Sequence, residues 1–563
     1  MMGGGVDVQK AIKQSWERLG FNGDAVKLPA GSLYEMWQNT VEAAGNRPAF
    51  SCLGQSLTYG DIDLYSNCVA AFFQKKLGLQ QGDKIAIQLP NLLQYPITVI
   101  AAWKAGLVIV NTNPMYTSRE LEHQLNDAQV KAVIVMDRFY NTLVKASEKT
   151  SVKHIVVTRP IDLLPQPKQL LFSLIMAATG KREKLPPSGY YSFKEALSCR
   201  EEYTPHSSSV DDVAVLQYTG GTTGVSKGVM LTQRNLLSNT AQVEQLLASS
   251  GYTINGKTII SPLPLYHIFA FLLNMGLICA TRGHSVLIPD PRNIKALVKA
   301  IKPFRFDVFC GLNSLFVALV NNKAFCQLNF SNLSYTISGG MPLMKSVASD
   351  WQQVTGCTVS EGYGLTESSP VITMNPPGKE KIGYAGIALP QTEVKVVNSA
   401  GVEQPVGETG ELCIRGPQVM KGYWQRAEQT AETIVDGWLH TGDVVAVDED
   451  GYIRIVDRIK DMILVSGFNV YPNEVEEVLT QHPKVLECAA IGIPDERSGE
   501  AVKMFVVSSD NSLTEQEVIA FCKAQMAAYK APDYVEFRED LPKSNVGKVL
   551  RKELKAEEMA TRS

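Results

Sequence analysis

The 563-residue sequence contains no CxxC pair and no Cys/His ligand cluster, so its spacing suggests neither a zinc ribbon nor a redox dithiol. Its ten cysteines are scattered from Cys52 to Cys522, as reduced and mostly buried thiols of a cytosolic protein would be. Neither charge sign is in excess. The formal net charge is −3, which leaves no global field to hold a polynucleotide and argues against a nucleic-acid partner. Residues 1–10 open with glycines and lack a basic segment followed by an apolar run, so no secretory signal is expected. An uninterrupted apolar run of about 20 residues, the length of a membrane span, is also missing. The longest stretch, residues 92–110, is broken by Gln94, Pro96 and Lys104 and reads as a buried helix and strand. There are no internal repeats, and the Pro/Gly-rich stretches are too short to be disordered tracts. The expected location is therefore the cytoplasm.

One short apolar segment leaves two readings open. Residues 170–178 follow Lys168 and precede Lys181, Arg182 and Lys184. Such a segment can rest on an anionic bilayer at the inner face of the cell membrane, or can pack as a surface helix on its own domain. A homodimer is compatible with the sequence, which fixes no oligomeric state.

A chain of this length exceeds one compact core. Residues 50–160 alternate short β-branched runs (Ile85-Ala86-Ile87-Gln88-Leu89, Ala132-Val133-Ile134-Val135-Met136) with helical patterns such as residues 119–125. This predicts βαβ units around a mostly parallel sheet. The pattern resumes after residue 210, with strands expected at 285–288, 308–310 and 335–338. Residues 380–456 change to short strands between Gly, Pro and acidic turns, as in a small β-barrel subdomain. The charged hexapeptide at 457–462 then precedes a fresh βα pattern. The expected class is thus α/β: a large N-terminal domain over 1–456, a hinge at 457–462, and a small mobile α+β domain over 463–563 acting as a lid.

The densest chemical signal is Tyr218-Thr219-Gly220-Gly221-Thr222-Thr223-Gly224-Val225-Ser226-Lys227-Gly228, after the apolar run Val213-Ala214-Val215-Leu216. Glycines let backbone N–H groups turn toward an anion, the threonine hydroxyls add donors, and Lys227 adds a mobile positive charge. Ser226 stands where a GxxxxGK[ST] loop needs glycine, so the segment binds phosphate without matching that loop.

This segment resembles the signature loop of the adenylate-forming superfamily, which includes acyl-CoA synthetases, peptide-synthetase adenylation domains and firefly luciferase. Further motifs follow in the superfamily's order over residues 30–555. Pro264-Leu265-Tyr266-His267-Ile268-Phe269, Ser466-Gly467-Phe468-Asn469-Val470-Tyr471-Pro472-Asn473-Glu474 and Pro542-Lys543-Ser544-Asn545-Val546-Gly547-Lys548 are most similar to the bacterial long-chain fatty-acid–CoA ligases. The resemblance implies substrates ATP, a fatty acid and CoA, with Mg2+ as the metal. Fatty carboxylate would attack ATP to give an acyl-adenylate and diphosphate, and CoA thiol would then displace AMP.

The resemblance also implies site residues. The loop from Tyr218 through Thr219, Gly220, Gly221, Thr222, Thr223 and Gly224 to Lys227 would hold the phosphates. In Glu361-Gly362-Tyr363-Gly364-Leu365-Thr366-Glu367, Tyr363 would stack on adenine, Thr366 would bond the α-phosphate, and Glu367, with Thr222, would hold Mg2+. Gly339 and Gly340 would let the ligand approach the backbone, although paired glycines after a strand are equally a plain turn. Asp443 would accept the ribose hydroxyls and Arg458 would make a second ribose or phosphate contact; an aspartate after glycine is otherwise a turn former. His267 would gate the path between carboxylate and thiol, yet a lone histidine in an apolar run also fits a core position. The run at 270–276 suits an alkyl tunnel or a core helix. Lys548 would bridge carboxylate and α-phosphate, and alone would read as one solvated lysine among several. Lys460 would be the hinge about which the small domain rotates, bringing Gly467 to the pantetheine channel.

Other readings remain: a ligase for medium-chain or aromatic acids, transfer to a carrier-protein thiol, luciferase-type oxidation, or a non-catalytic lipid- or nucleotide-binding protein. The last is disfavoured because Lys227, Glu367, Asp443, Arg458 and Lys548 are all present.

Overall fold

The computed structural model describes residues 7–21, 26–178, 185–219, 226–495, 497–544 and 548–562. Two large, mostly parallel sheets form the bulk of the chain. The eight-stranded sheet runs Gly422–Tyr423, Lys227–Thr232, Val213–Thr219, Val108–Asn111, Lys84–Gln88, Val130–Met136, His154–Thr158, Tyr191–Ser192. The nine-stranded sheet has Val359–Gly364, Tyr335–Gly339, Val308–Gly311, Thr258–Ser261 and His284–Leu287 as its parallel centre. These strands read as continuous apolar runs because helices cover both faces.

Local signals explain the connections. The helix expected over 119–125 spans Ser118–Asp127 and starts at Thr117 through a capping box with Glu120, each side chain bonding the other residue's backbone N–H. Residues 92–110 form the buried helix Gln94–Ala105 and the strand Val108–Asn111, with Gly106 at φ 68° ending the helix. Lys104 on that helix is 1% exposed and survives burial because Asp63 pairs with it at 2.6 Å and Ser66 accepts a bond at 2.8 Å. The run at 270–276 lies across the helix Ile268–Phe271 and the π-helical turns Leu272–Ile278, all of whose residues are buried. The ten cysteines are free thiols, eight of them buried.

Residues 393–458 form an antiparallel sheet around the ten-residue strand Trp438–Val447, which pairs with Thr409–Arg415, Ile434–Val435 and Ile453–Arg458. It departs from the expected barrel: among the described residues no pairing closes its outer strands. Beyond it, a separate five-stranded sheet of Phe468–Val470, Ile463–Val465, Gly499–Ser508, Val485–Asp495 and Tyr534–Phe537 packs against helices Pro472–Leu479 and Glu515–Gln525. Strand Ile453–Arg458 carries through Asp457 and Arg458, so the connection between the two sheets is confined to residues 459–462.

The helix Gln166–Ala178 exposes Leu170 and Leu174, at 65% and 60%. Lys181, Arg182 and Lys184 lie outside the described residues. No described helix is long and apolar enough to cross a membrane.

Candidate active site

In sheets built from parallel strands, ligands meet the chain at the carboxyl ends of the strands. Tyr335–Gly339 and Val359–Gly364 end together there, with Gly339 opposite Gly362. A Cβ at Gly339 would lie 3.3 Å from both the Gly362 carbonyl oxygen and the Phe269 ring, so the close approach of the two strands is backbone-limited. At Gly364 a Cβ would overlap the Pro370 carbonyl oxygen, at 1.8 Å. That turn brings Thr366 and Glu367 into the short helical turn Thr366–Ser368.

The side chain of Tyr363 crosses to the antiparallel sheet, where its hydroxyl donates to Asp443 Oδ2 at 2.5 Å. Asp443 and Arg458 are cross-strand partners, and Arg458 Nε lies 2.9 Å from Asp443 Oδ1. Gly442, at φ 69°, turns the chain, and the Asp443 N–H donates to Thr441 Oγ1 at 3.1 Å. A carboxylate offers about four acceptor positions. Two protein bonds therefore leave Asp443 able to accept more. Burial and the Asp443 carboxylate raise the Tyr363 phenol well above its ordinary pKa, keeping it a donor.

Glu367 belongs to the same region. Tyr423 donates its hydroxyl to Glu367 Oε1 at 2.8 Å, and the Lys227 ammonium stands over the Tyr423 ring, 4.8 Å from its centroid. Tyr423 thus links the phosphate-loop lysine to the acidic residue. No motif in the sequence singled it out. Lys548, near the far end of the chain, lies within electrostatic range of Arg458 and Asp443. Desolvation and the Arg458 guanidinium push its pKa down to about 8, while Asp443 acts in the opposite direction.

A model of the AMP-binding enzyme family matches residues 37–424, and one of the AMP-binding enzyme C-terminal domain matches residues 474–548. The chain belongs to the AMP-binding enzyme family. A protein named long-chain-fatty-acid–CoA ligase from Escherichia coli O6:H1 is 47% identical over 534 residues, covering 93% of this chain and 94% of that one. The anthranilate CoA ligase AuaEII, solved with anthranoyl-AMP, superposes with a TM-score of 0.82 at 26% identity, covering 94% and 98% of the two chains. ATP-bound MatB from Rhodopseudomonas palustris gives 0.80 at 28% identity, over 93% and 98%.

The remaining candidates of this AMP-binding enzyme fall in different places. Gly220, Gly221, Thr222, Thr223 and Gly224 lie outside the described residues. Tyr218 and Thr219 end strand Val213–Thr219, and the Tyr218 hydroxyl donates to Asp127 at 2.7 Å. Glu361 is 8% exposed and burial pushes its carboxyl up to about 8, so it is held largely neutral and is not an anionic ligand at pH 7. Gly340 has φ 85° and open space at its Cβ position. His267 caps the helix Ile268–Phe271, its Nδ1 accepting from the Phe269 N–H at 3.4 Å. Desolvation pushes its imidazole down to about 4, leaving a neutral ring at pH 7. Lys460 sits in the turn between the sheets. Gly467, at φ 84°, has nothing within 4 Å of its Cβ position.

Proposed function

We propose that this chain is a long-chain fatty acid–CoA ligase, converting ATP, a fatty acid and CoA into acyl-CoA, AMP and diphosphate through an acyl-adenylate. The observation that carries the reading is the junction of two sheets at Asp443, where Tyr363 of the nine-stranded sheet donates to one carboxylate oxygen at 2.5 Å and Arg458 of the antiparallel sheet lies 2.9 Å from the other. The 47% identity to a ligase of that name over most of both chains supports the substrate class.

Fatty carboxylate attacks the α-phosphorus and diphosphate leaves. The approach of two anions has to be offset by cations and donors already in place, and Lys227, Thr366 and Lys548 supply them. Asp443 accepts the ribose hydroxyls and Tyr363 packs on the adenine. Glu367 fits a Mg2+ ion: Tyr423 holds one of its oxygens, which leaves a second, hard oxygen donor, and Thr222, outside the described residues, would be the other ligand that the resemblance implies. Bound there, the ion would neutralise charge on the triphosphate.

The large domain is assigned to 1–456, the hinge to 457–462 and the small domain to 463–563. Rotation about Lys460 withdraws Lys548 and brings Gly467 to the thiol path, where the absence of a side chain leaves room for pantetheine. CoA thiolate then attacks the acyl carbon, AMP departs, and neutral His267 gates the path without transferring a proton.

AMP release with CoA and a panel of acids from about C6 to C18 tests the substrate class, because each methylene held in an apolar tunnel contributes ~0.8 kcal/mol. AMP release rising toward the longest acids is expected. A maximum on short-chain or aromatic acids would contradict the long-chain assignment. Exposed Leu170 and Leu174 further support contact with a bilayer, from which such acids are drawn. Co-sedimentation with anionic vesicles should fall in Leu170→Ser/Leu174→Ser, and unchanged co-sedimentation would remove that contact.

A further inference from the structure

The scattered cysteines gave no ligand spacing along the chain, but antiparallel register creates one. Cys413 and His440 are direct cross-strand partners, and Glu411, two residues before Cys413, shares their face of the sheet. His440 Nδ1 lies 3.4 Å from Cys413 Sγ and 2.9 Å from Glu411 Oε2, and one ligand atom from each residue falls within 4.8 Å of the others. Among the described residues no other such group of three forms.

We propose that Glu411, Cys413 and His440 bind a borderline divalent cation of the zinc type, with a fourth position open to water. A tetrahedral ion with a sulfur ligand at about 2.3 Å and a nitrogen ligand at about 2.0 Å holds those two atoms about 3.5 Å apart. The observed 3.4 Å needs almost no rearrangement. A thiolate, an imidazole and a single carboxylate favour zinc over magnesium, which wants oxygen ligands alone. Cys413 forms the buried floor, while His440 and Glu411 are partly exposed and leave an entry side. Binding is balanced by one proton: the Cys413 thiol loses its hydrogen to solvent, and the imidazole proton moves from Nδ1 to Nε2 so that Nδ1 can ligate. Of the nearby charges, Glu403 favours the ion. Lys395, the other cross-strand neighbour of Cys413, turns its ammonium toward the Trp438 ring, 4.5 Å from the centroid.

The site has a consequence for the nucleotide, which rests on the reading of Asp443 given above. Glu411 Oε1 accepts the Gly442 N–H at 3.0 Å, in the irregular stretch of the sheet that presents Asp443. An ion that draws Glu411 toward Cys413 pulls on this bond.

The test uses the full-length protein stripped with a chelator, with Co2+ as the probe at a working concentration of Mg2+. One equivalent per chain should give thiolate-to-cobalt charge-transfer absorption. Cys413→Ser should abolish that band, and His440→Gln should weaken Co2+ binding at least about tenfold. Absence of the band at one equivalent would overturn the site. So would the same band persisting in both variants, since the ion would then sit on other thiols such as exposed Cys326. Zn2+ should change the KM for ATP severalfold in the unsubstituted protein and not in Cys413→Ser. A cobalt band with unaltered KM would overturn the coupling to Asp443 and leave the site standing.

Discussion

Tyr363 and Asp443 are 80 positions apart in the chain and joined by a 2.5 Å hydrogen bond from phenol to carboxylate. That bond ties the carboxyl end of the nine-stranded sheet to the antiparallel sheet, and Arg458 closes the arrangement from the next strand. A nucleotide bound at Asp443, as proposed above, would be gripped by two sheets at once, with Lys548 supplied from the segment that precedes helix Arg551–Arg562.

Replacing Asp443 by Asn keeps the volume but removes the counter-charge of Arg458. A hydrogen bond to a charged group is worth about 2 kcal/mol, so the KM for ATP in Asp443→Asn should rise about 30-fold. Tyr363→Phe removes one donor and should cost about 1 kcal/mol, roughly fivefold. Steady-state kinetics with acid and CoA saturating measures both, and equal losses in the two variants would contradict the central position of Asp443.

Lys548 is charged below its pKa and neutral above it. With that pKa pushed down to about 8, kcat/KM for acid-dependent pyrophosphate exchange should fall as pH rises through about 8. Arginine stays protonated across this range. The residual exchange of Lys548→Arg should therefore lose the alkaline decline, and an identical decline would assign the titration to another group.

Glu361 predicts a pH effect on stability of definite sign. Its ordinary pKa of 4.5 is raised to about 8 in the fold, so between those values the folded state keeps a proton that the unfolded chain releases. Its contribution is fully present below 4.5 and is lost as pH rises toward 8, at up to ~1.4 kcal/mol per pH unit. Glu361→Gln should match the unsubstituted protein near pH 5 and exceed it in thermal stability near pH 8. No gain at the higher pH would mean that the carboxyl ionises without penalty.

The two glycines of the Tyr363 hairpin should respond differently to alanine. A Cβ at Gly364 would fall 1.8 Å from the Pro370 carbonyl oxygen, whereas one at Gly362 would meet the Thr373 oxygen at an ordinary 3.4 Å. Gly364→Ala should destabilise by about 3 kcal/mol or more and Gly362→Ala by less than about 1 kcal/mol, as read by denaturant unfolding.

Much of this was legible in the residues. The β-branched runs at 85–89, 132–136 and 308–310 are strands because they are buried on both faces, and Thr117 with Glu120 announces its helix by hydrogen bonds three residues apart. Contacts that depend on register were not legible. Nothing in the linear order says that Cys413 faces His440, that Tyr423 lies between Lys227 and Glu367, or that the Tyr218 hydroxyl turns to Asp127. The neutral state of Glu361 was equally hidden, since burial and not residue type sets its charge.

The most direct test separates the two half-reactions in Lys548→Ala. If Lys548 serves only the approach of carboxylate to α-phosphate, this variant should lose acid-dependent pyrophosphate exchange by about 100-fold or more. It should still convert supplied acyl-adenylate and CoA to acyl-CoA at close to the unsubstituted rate. Equal loss of both half-reactions would contradict the account of a lysine that the small domain inserts for one step and withdraws for the next.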